Sequence, residues 1–161
     1  MAKLLLLKGM SYRDCYNMIL EFVCLDGGTH PVIGKVWNRF PRCLAEDGGR
    51  YDRYLCSALF MTMHSSDDCK KALALLELVE NNQSSQMRFG INDTEVTFTE
   101  RGAQVDILIE EECGTADGLF SLAEFRKAII VWGEFLSKSC TREYLLKVDI
   151  SRCSMSQAMS A

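Results

Sequence analysis

Histidine is nearly absent from this 161-residue chain: only His30 and His64 occur, far apart, and the eight cysteines never form a Cys-x-x-Cys pair. That scarcity argues against a zinc centre, which needs four nitrogen or sulfur ligands at close spacing. Long apolar runs are missing as well. No stretch approaches the ~20 residues of a membrane span. Met1-Ala2-Lys3-Leu4-Leu5-Leu6-Leu7-Lys8 imitates a signal peptide. Its apolar run falls short of the roughly 7–15 residues of a secretory segment, and no small-residue cleavage site follows. The expectation is a soluble, cytoplasmic protein. There is no Gly-x-Ser-x-Gly, no protease-type cysteine context and no phosphate-cradling glycine loop ahead of a lysine. No catalytic residue, metal or cofactor is assigned on these grounds. With cysteines scattered and several on apolar faces, free thiols packed as small hydrophobes are expected.

What is present is ordinary globular composition, with 48% hydrophobic and 25% charged residues. The length suits a single α+β domain over 1–150, with a polar flexible tail at 151–161. In the first half, apolar residues recur at helical spacing. Cys15, Met18, Ile19, Phe22 and Val23 predict a helix over 11–25, opened by Ser11 and Asp14 and stopped by Asp26-Gly27-Gly28. Val32, Ile33, Val36, Trp37 and Phe40 predict a second, from Pro31 to before Pro41. A third carries Tyr51, Tyr54, Leu55, Ala58 and Leu59. The fourth begins after Ser66 and carries Cys69, Ala72, Leu73, Leu76 and Val79. About four N-terminal helices result.

From residue 86 the period changes to two. Met87, Phe89 and Ile91, then Val96 and Phe98, then Val105, Ile107 and Ile109 alternate with polar neighbours. Two-residue turns at Asn92-Asp93 and Arg101-Gly102 pair Phe89 with Val96, Met87 with Phe98, Phe98 with Val105 and Val96 with Ile107. All apolar residues then share one face of a three-stranded antiparallel meander. A C-terminal amphipathic helix over 122–138 follows, its start marked by Ser121 and Glu124. Residues 144–150 suit either a strand or a helical turn. Cys113 to Phe125 resembles the back half of a calcium loop. Cys113 and Thr115, however, hold the first two ligand positions, and a thiol is a poor ligand for a hard cation. The plainer reading is a strand-to-helix loop capped by Ser121.

Charge is unevenly placed. Residues 1–85 hold ten acidic and ten basic side chains, and 114–161 hold five and six. Residues 86–113 hold seven acidic side chains (Asp93, Glu95, Glu100, Asp106, Glu110, Glu111, Glu112) against Arg88 and Arg101. The whole excess of the net −4 therefore lies on the meander and its exit. In the expected register Glu95, Thr97, Thr99, Gln104 and Asp106 point away from the apolar face. A solvated sheet face that discourages edge pairing accounts for such acid. A surface that steers a basic protein partner accounts for it equally well. Asp93, Glu95, Asp106, Glu110, Glu111 and Glu112 are the candidate partner-binding residues. Phosphate would be repelled, so direct nucleic-acid binding is disfavoured.

The stretch Val105 to Leu136 joins a Val-x-Ile strand and an acidic loop to Phe120-Ser121-Leu122-x-Glu124-Phe125, which opens a helix carrying Trp132 and Phe135-Leu136. It resembles bacterial immunity proteins of polymorphic-toxin and contact-dependent growth inhibition systems. About a fifth of the chain carries the likeness. The resemblance implies a cognate toxin domain, often a basic nuclease, blocked by tight stoichiometric binding. Alternatives are a small acidic secretion or assembly chaperone, or an enzyme of another family using His30 or His64.

Overall fold

A computed structural model describes residues 18–110 and 112–151 of the chain. Two antiparallel sheets and three α-helices make up the fold, in place of four N-terminal helices and a lone meander. Strands β1 (Ile19–His30) and β2 (Gly34–Arg42) form a hairpin. They overlap the described parts of the two segments expected to be the first helices. In β1, Leu20, Phe22 and Cys24 all point into the core and are fully buried, a period of two that the helical spacing concealed. Pro31 opens a turn instead of a helix, and His30 Nδ1 accepts the Val32 N–H at 3.1 Å. Gly27 and Gly28 lie within a break in the β1–β2 register between Asp26 and Thr29, with Gly28 at φ 85°. The expected helix start at Ser11, with Cys15, lies outside the described residues, as does the tail beyond Ser151.

A π-helical stretch, Tyr51–Cys56, runs directly into α1 (Ser57–Thr62), and α2 spans Ser66–Glu80. The cap of α2 is Ser65, whose hydroxyl accepts the Asp68 N–H while the Asp68 carboxylate accepts the Ser65 N–H. Strands β3 (Gln86–Ile91) and β4 (Thr94–Thr99) meet at the Asn92-Asp93 turn, with Met87 opposite Phe98 and Phe89 opposite Val96. The next pairing differs from expectation. In β5 (Gly102–Ile107), Ala103 faces Phe98 and Val105 faces Val96, so the turn is Glu100-Arg101. A two-residue displacement keeps every side chain on its face, because the strand period is two. Gly102 is therefore a strand residue, at φ 138°. A Cβ there would collide with the carbonyl of Phe120 in β6 (Leu119–Phe120), the short fourth strand of the sheet. Gly102→Ala combines a disfavoured φ with that clash. We expect it to lower unfolding stability by about 3 kcal/mol, read from the urea midpoint.

Helix α3 (Leu122–Ser137) lies between the two sheets. Trp132 and Phe135 meet Phe22 of β1, with ring centroids 5.0 and 5.8 Å away, and Phe125 meets Phe98 of β4 at 5.6 Å. The Trp132 indole N–H donates to the Met63 carbonyl at 2.9 Å. At the start of α3 the capping box forms as expected, and buried Glu124 also accepts the Tyr51 hydroxyl at 2.7 Å. At its end, Arg39 of β2 donates to the Leu136 and Lys138 carbonyls, satisfying acceptors that a helix terminus leaves open. The segment that could have been strand or helical turn is β7 (Tyr144–Asp149), which pairs with β1. Sheet order is β2-β1-β7 and β3-β4-β5-β6.

Cys43, Cys56 and Cys69 are buried free thiols, and Cys113 is free and exposed. Cys24 and Cys140 depart from the free-thiol expectation, since they are joined as a disulfide. Burial against α3 pushes the Cys69 thiol from 9.0 up to about 12. The unfolded chain ionises first, so the stability this thiol confers is present below pH 9.0 and drains away as pH climbs toward 12. Urea midpoints should fall over that window in the wild type and fall less in Cys69→Ala.

Candidate protein-binding surface

The outer face of the four-stranded sheet carries the predicted acid, because β4 and β5 alternate. Glu95 and Asp106 sit directly opposite each other, beside the pair Thr97 and Gln104. Like charges in that position repel, and each carboxylate has a separate compensation. Arg88 Nε lies 3.5 Å from Glu95 Oε1. Asp106 Oδ1 accepts the Gly114 N–H at 2.7 Å. Gln104 Nε2 donates to the Thr115 carbonyl at 3.0 Å. These two bonds fold the segment 112–118 back against the edge of the outer face.

The exit of β5 breaks the expected alternation. The Leu108 N–H donates to the Asp93 carbonyl at 2.6 Å, and the Glu110 N–H closes a turn onto the Ile107 carbonyl. The strand ends at Ile107, and Ile109, expected on the core face, is instead 75% exposed, with Leu108 at 48%. Glu110 pairs with Arg53 of the π-helical stretch. That contact pushes the Arg53 pKa further up, chiefly through the hydrogen bond to Glu110. Arg53 also lies over the Tyr54 ring, 5.2 Å from its centroid. Between these groups is an open cleft of about 710 Å³, bounded by Arg53, Tyr54, Ile109, Glu110, Glu112 and Asp117.

Against this geometry, no family model, curated protein or solved structure matches the chain.

Of the predicted contact residues, Asp93, Glu95, Asp106 and Glu110 come together at one end of the sheet. Exposed Glu112 lines the adjoining cleft, and Glu111 lies outside the described residues. Sequence reasoning missed Arg53, Asp117 and the exposed pair Leu108-Ile109. The first two reach the site from distant or folded-back segments, so no local pattern announces them. The two histidines lie elsewhere. His30 is at the β1–β2 hairpin tip, and the His64 N–H donates to Asp68 at 3.0 Å as part of the α2 start. Neither ring hydrogen-bonds to a carboxylate or hydroxyl among the described residues. No described helix is long and apolar enough to cross a membrane.

Proposed function

We infer that the chain is an immunity-type inhibitor of the cytoplasm that neutralises a basic protein domain, of the nuclease-toxin kind, by stoichiometric binding. The observation that carries this reading is the exposed pair Leu108-Ile109, set among Asp93, Glu110, Glu112 and Asp117 at the end of the acidic sheet. An apolar anchor ringed by charge matches how protein interfaces divide their work. The anchor supplies affinity on desolvation, and the ring supplies steering and selectivity. Two of the carboxylates already hold arginines, Glu95 with Arg88 and Glu110 with Arg53. Among the described residues, Asp93, Asp106, Glu112 and Asp117 form no salt bridge and leave their charge open at this end.

The test is capture from a lysate of the source cells with tagged protein, followed by binding measurements on the recovered partner. A basic domain bound one-to-one, released by salt, is the expected result. Ile109→Ala should then raise Kd about tenfold without moving the thermal midpoint. Recovery of partners with no basic surface, or binding indifferent to both salt and Ile109, would sink the reading.

A chaperone reading is favoured by one other feature. Beyond Cys24 the β1–β2 hairpin continues as an exposed ribbon whose tip shows Val32 at 85% and Ile33 at 73% exposure. Chaperone capture would use that tip, would tolerate salt, and would be lost in Val32→Ser/Ile33→Ser while Ile109→Ala had no effect.

A further inference from the structure

The disulfide between Cys24 and Cys140 sits at a seam. Cys24 is the last β1 residue paired to β7, where it faces Tyr144, and every β1 residue after it, from 25 to 30, is exposed. Cys140 lies in the link 138–143 between α3 and β7, half-buried among exposed neighbours. Their Cα atoms are 6.6 Å apart, within the span a disulfide bridges without backbone movement. Few other bonds hold the link. Arg39, opposite Cys24 on β2, donates to Leu136 and Lys138, and Glu143 accepts the Asp26 N–H at 3.1 Å. β7 is itself an edge strand, with Leu145 exposed.

We propose that Cys24 and Cys140 form a redox-sensitive clasp that locks the α3–β7 link and β7 onto β1 when oxidised and loosens them when reduced. The clasp is independent of which partner the acidic end binds. Its bond closes a sequence separation of 116 residues, so oxidation restricts the unfolded chain strongly. A low-molecular-weight disulfide such as oxidised glutathione is the oxidant. The thiolate of Cys140, the more accessible sulfur, attacks one glutathione sulfur, breaking the glutathione S–S bond and releasing one glutathione thiolate. The Cys24 thiolate then attacks Cys140 Sγ, forming the clasp and releasing the second glutathione. Two electrons pass from the two cysteine sulfurs to the two glutathione sulfurs, and the two thiol protons end on reduced glutathione. In a reducing cytoplasm the clasp is open at rest and closes under oxidative load.

Peptide mapping of the full chain after equilibration with oxidised or reduced glutathione tests this directly. The oxidised sample should yield a Cys24–Cys140 linked peptide. Its thermal midpoint should lie about 10 °C above that of the reduced sample. Amide exchange should slow in 144–149 and in the neighbouring β1 segment 19–24. Cys140→Ser, at a half-buried link position, should fold, match the reduced wild type and ignore glutathione. The proposal is overturned if Cys24 and Cys140 stay unlinked or pair with other cysteines. It is equally overturned if the linked and reduced forms share one midpoint and one exchange pattern.

Discussion

Trp132→Ala lowers the free energy of unfolding by about 3–5 kcal/mol, the range for deleting a large buried aromatic, and most of the loss is packing. Trp132 is 2% exposed, meets the Phe22 ring edge-on at 5.0 Å and stacks on Phe135 at 5.4 Å. Its loss therefore opens a cavity on the side of α3 that faces β1. Nothing beside the cavity can collapse into it freely, because Phe22 is pinned in the centre of a three-stranded sheet and Phe135 packs on Tyr144. The indole N–H bond to Met63 adds a smaller share. Trp132→Phe separates the two contributions, keeping most of the packing and leaving the Met63 carbonyl without its donor, at about 1 kcal/mol. Urea unfolding of the three proteins reads both values. A Trp132→Ala midpoint close to wild type would mean that α3 does not join the sheets as described.

The second large effect is on association. Asp93→Lys combined with Glu112→Lys reverses two exposed carboxylates that hold no salt bridge among the described residues. Folding should be untouched, since neither side chain packs in the core. The association rate with the proposed basic partner should fall about 10–100-fold at low salt and converge on wild type at high salt. A loss of affinity that appears only in the dissociation rate, at all salt concentrations, would place these residues in a desolvated contact instead of a steering field. A stopped-flow or surface-binding series over ionic strength distinguishes the two.

These expectations depend on features that were unequally visible in the sequence. The β3–β4–β5 sheet was legible because its two faces differ: Val96, Phe98 and Val105 are fully buried while Glu95, Thr97 and Gln104 are only partly so. One face against water leaves a period of two in the chain. β1 hides that period. Val23 points to the outer face, yet it is 2% exposed because Phe40 of β2 and Leu145 of β7 flank it. Only around Val23 is this central strand buried on both sides, and there it reads as the apolar run Phe22-Val23-Cys24, which also satisfies helical spacing. Its partners decide the matter, and one of them, β7, lies more than a hundred residues away. The same non-locality moved the β4–β5 turn. Gly102 looks like a turn glycine until β6 passes beside it. The helices α2 and α3 were visible because each combines an apolar face with a local start signal; the Ser121–Glu124 cap forms as read, while α2 is capped by Ser65, one residue before the expected Ser66.

At the candidate surface, composition disclosed the acid but not its arrangement. Seven carboxylates in 86–113 can be counted. That Arg53 neutralises one of them, that Gly114 holds Asp106, and that Ile109 leaves the core face all follow from tertiary contacts. In the fold, four of these carboxylates gather at one end of the sheet, beside the exposed pair Leu108-Ile109.

Co-expression tests whether this end of the sheet neutralises a basic toxin domain, as proposed above. Cells producing the captured basic partner are supplied with the wild-type chain, with Asp93→Lys/Glu112→Lys/Ile109→Ala, or with Val32→Ser/Ile33→Ser. Growth is expected with the wild type and with the hairpin-tip variant, and arrest with the acidic-end variant at equal protein level. Full protection by the acidic-end variant, or arrest with the hairpin-tip variant alone, would contradict the proposal.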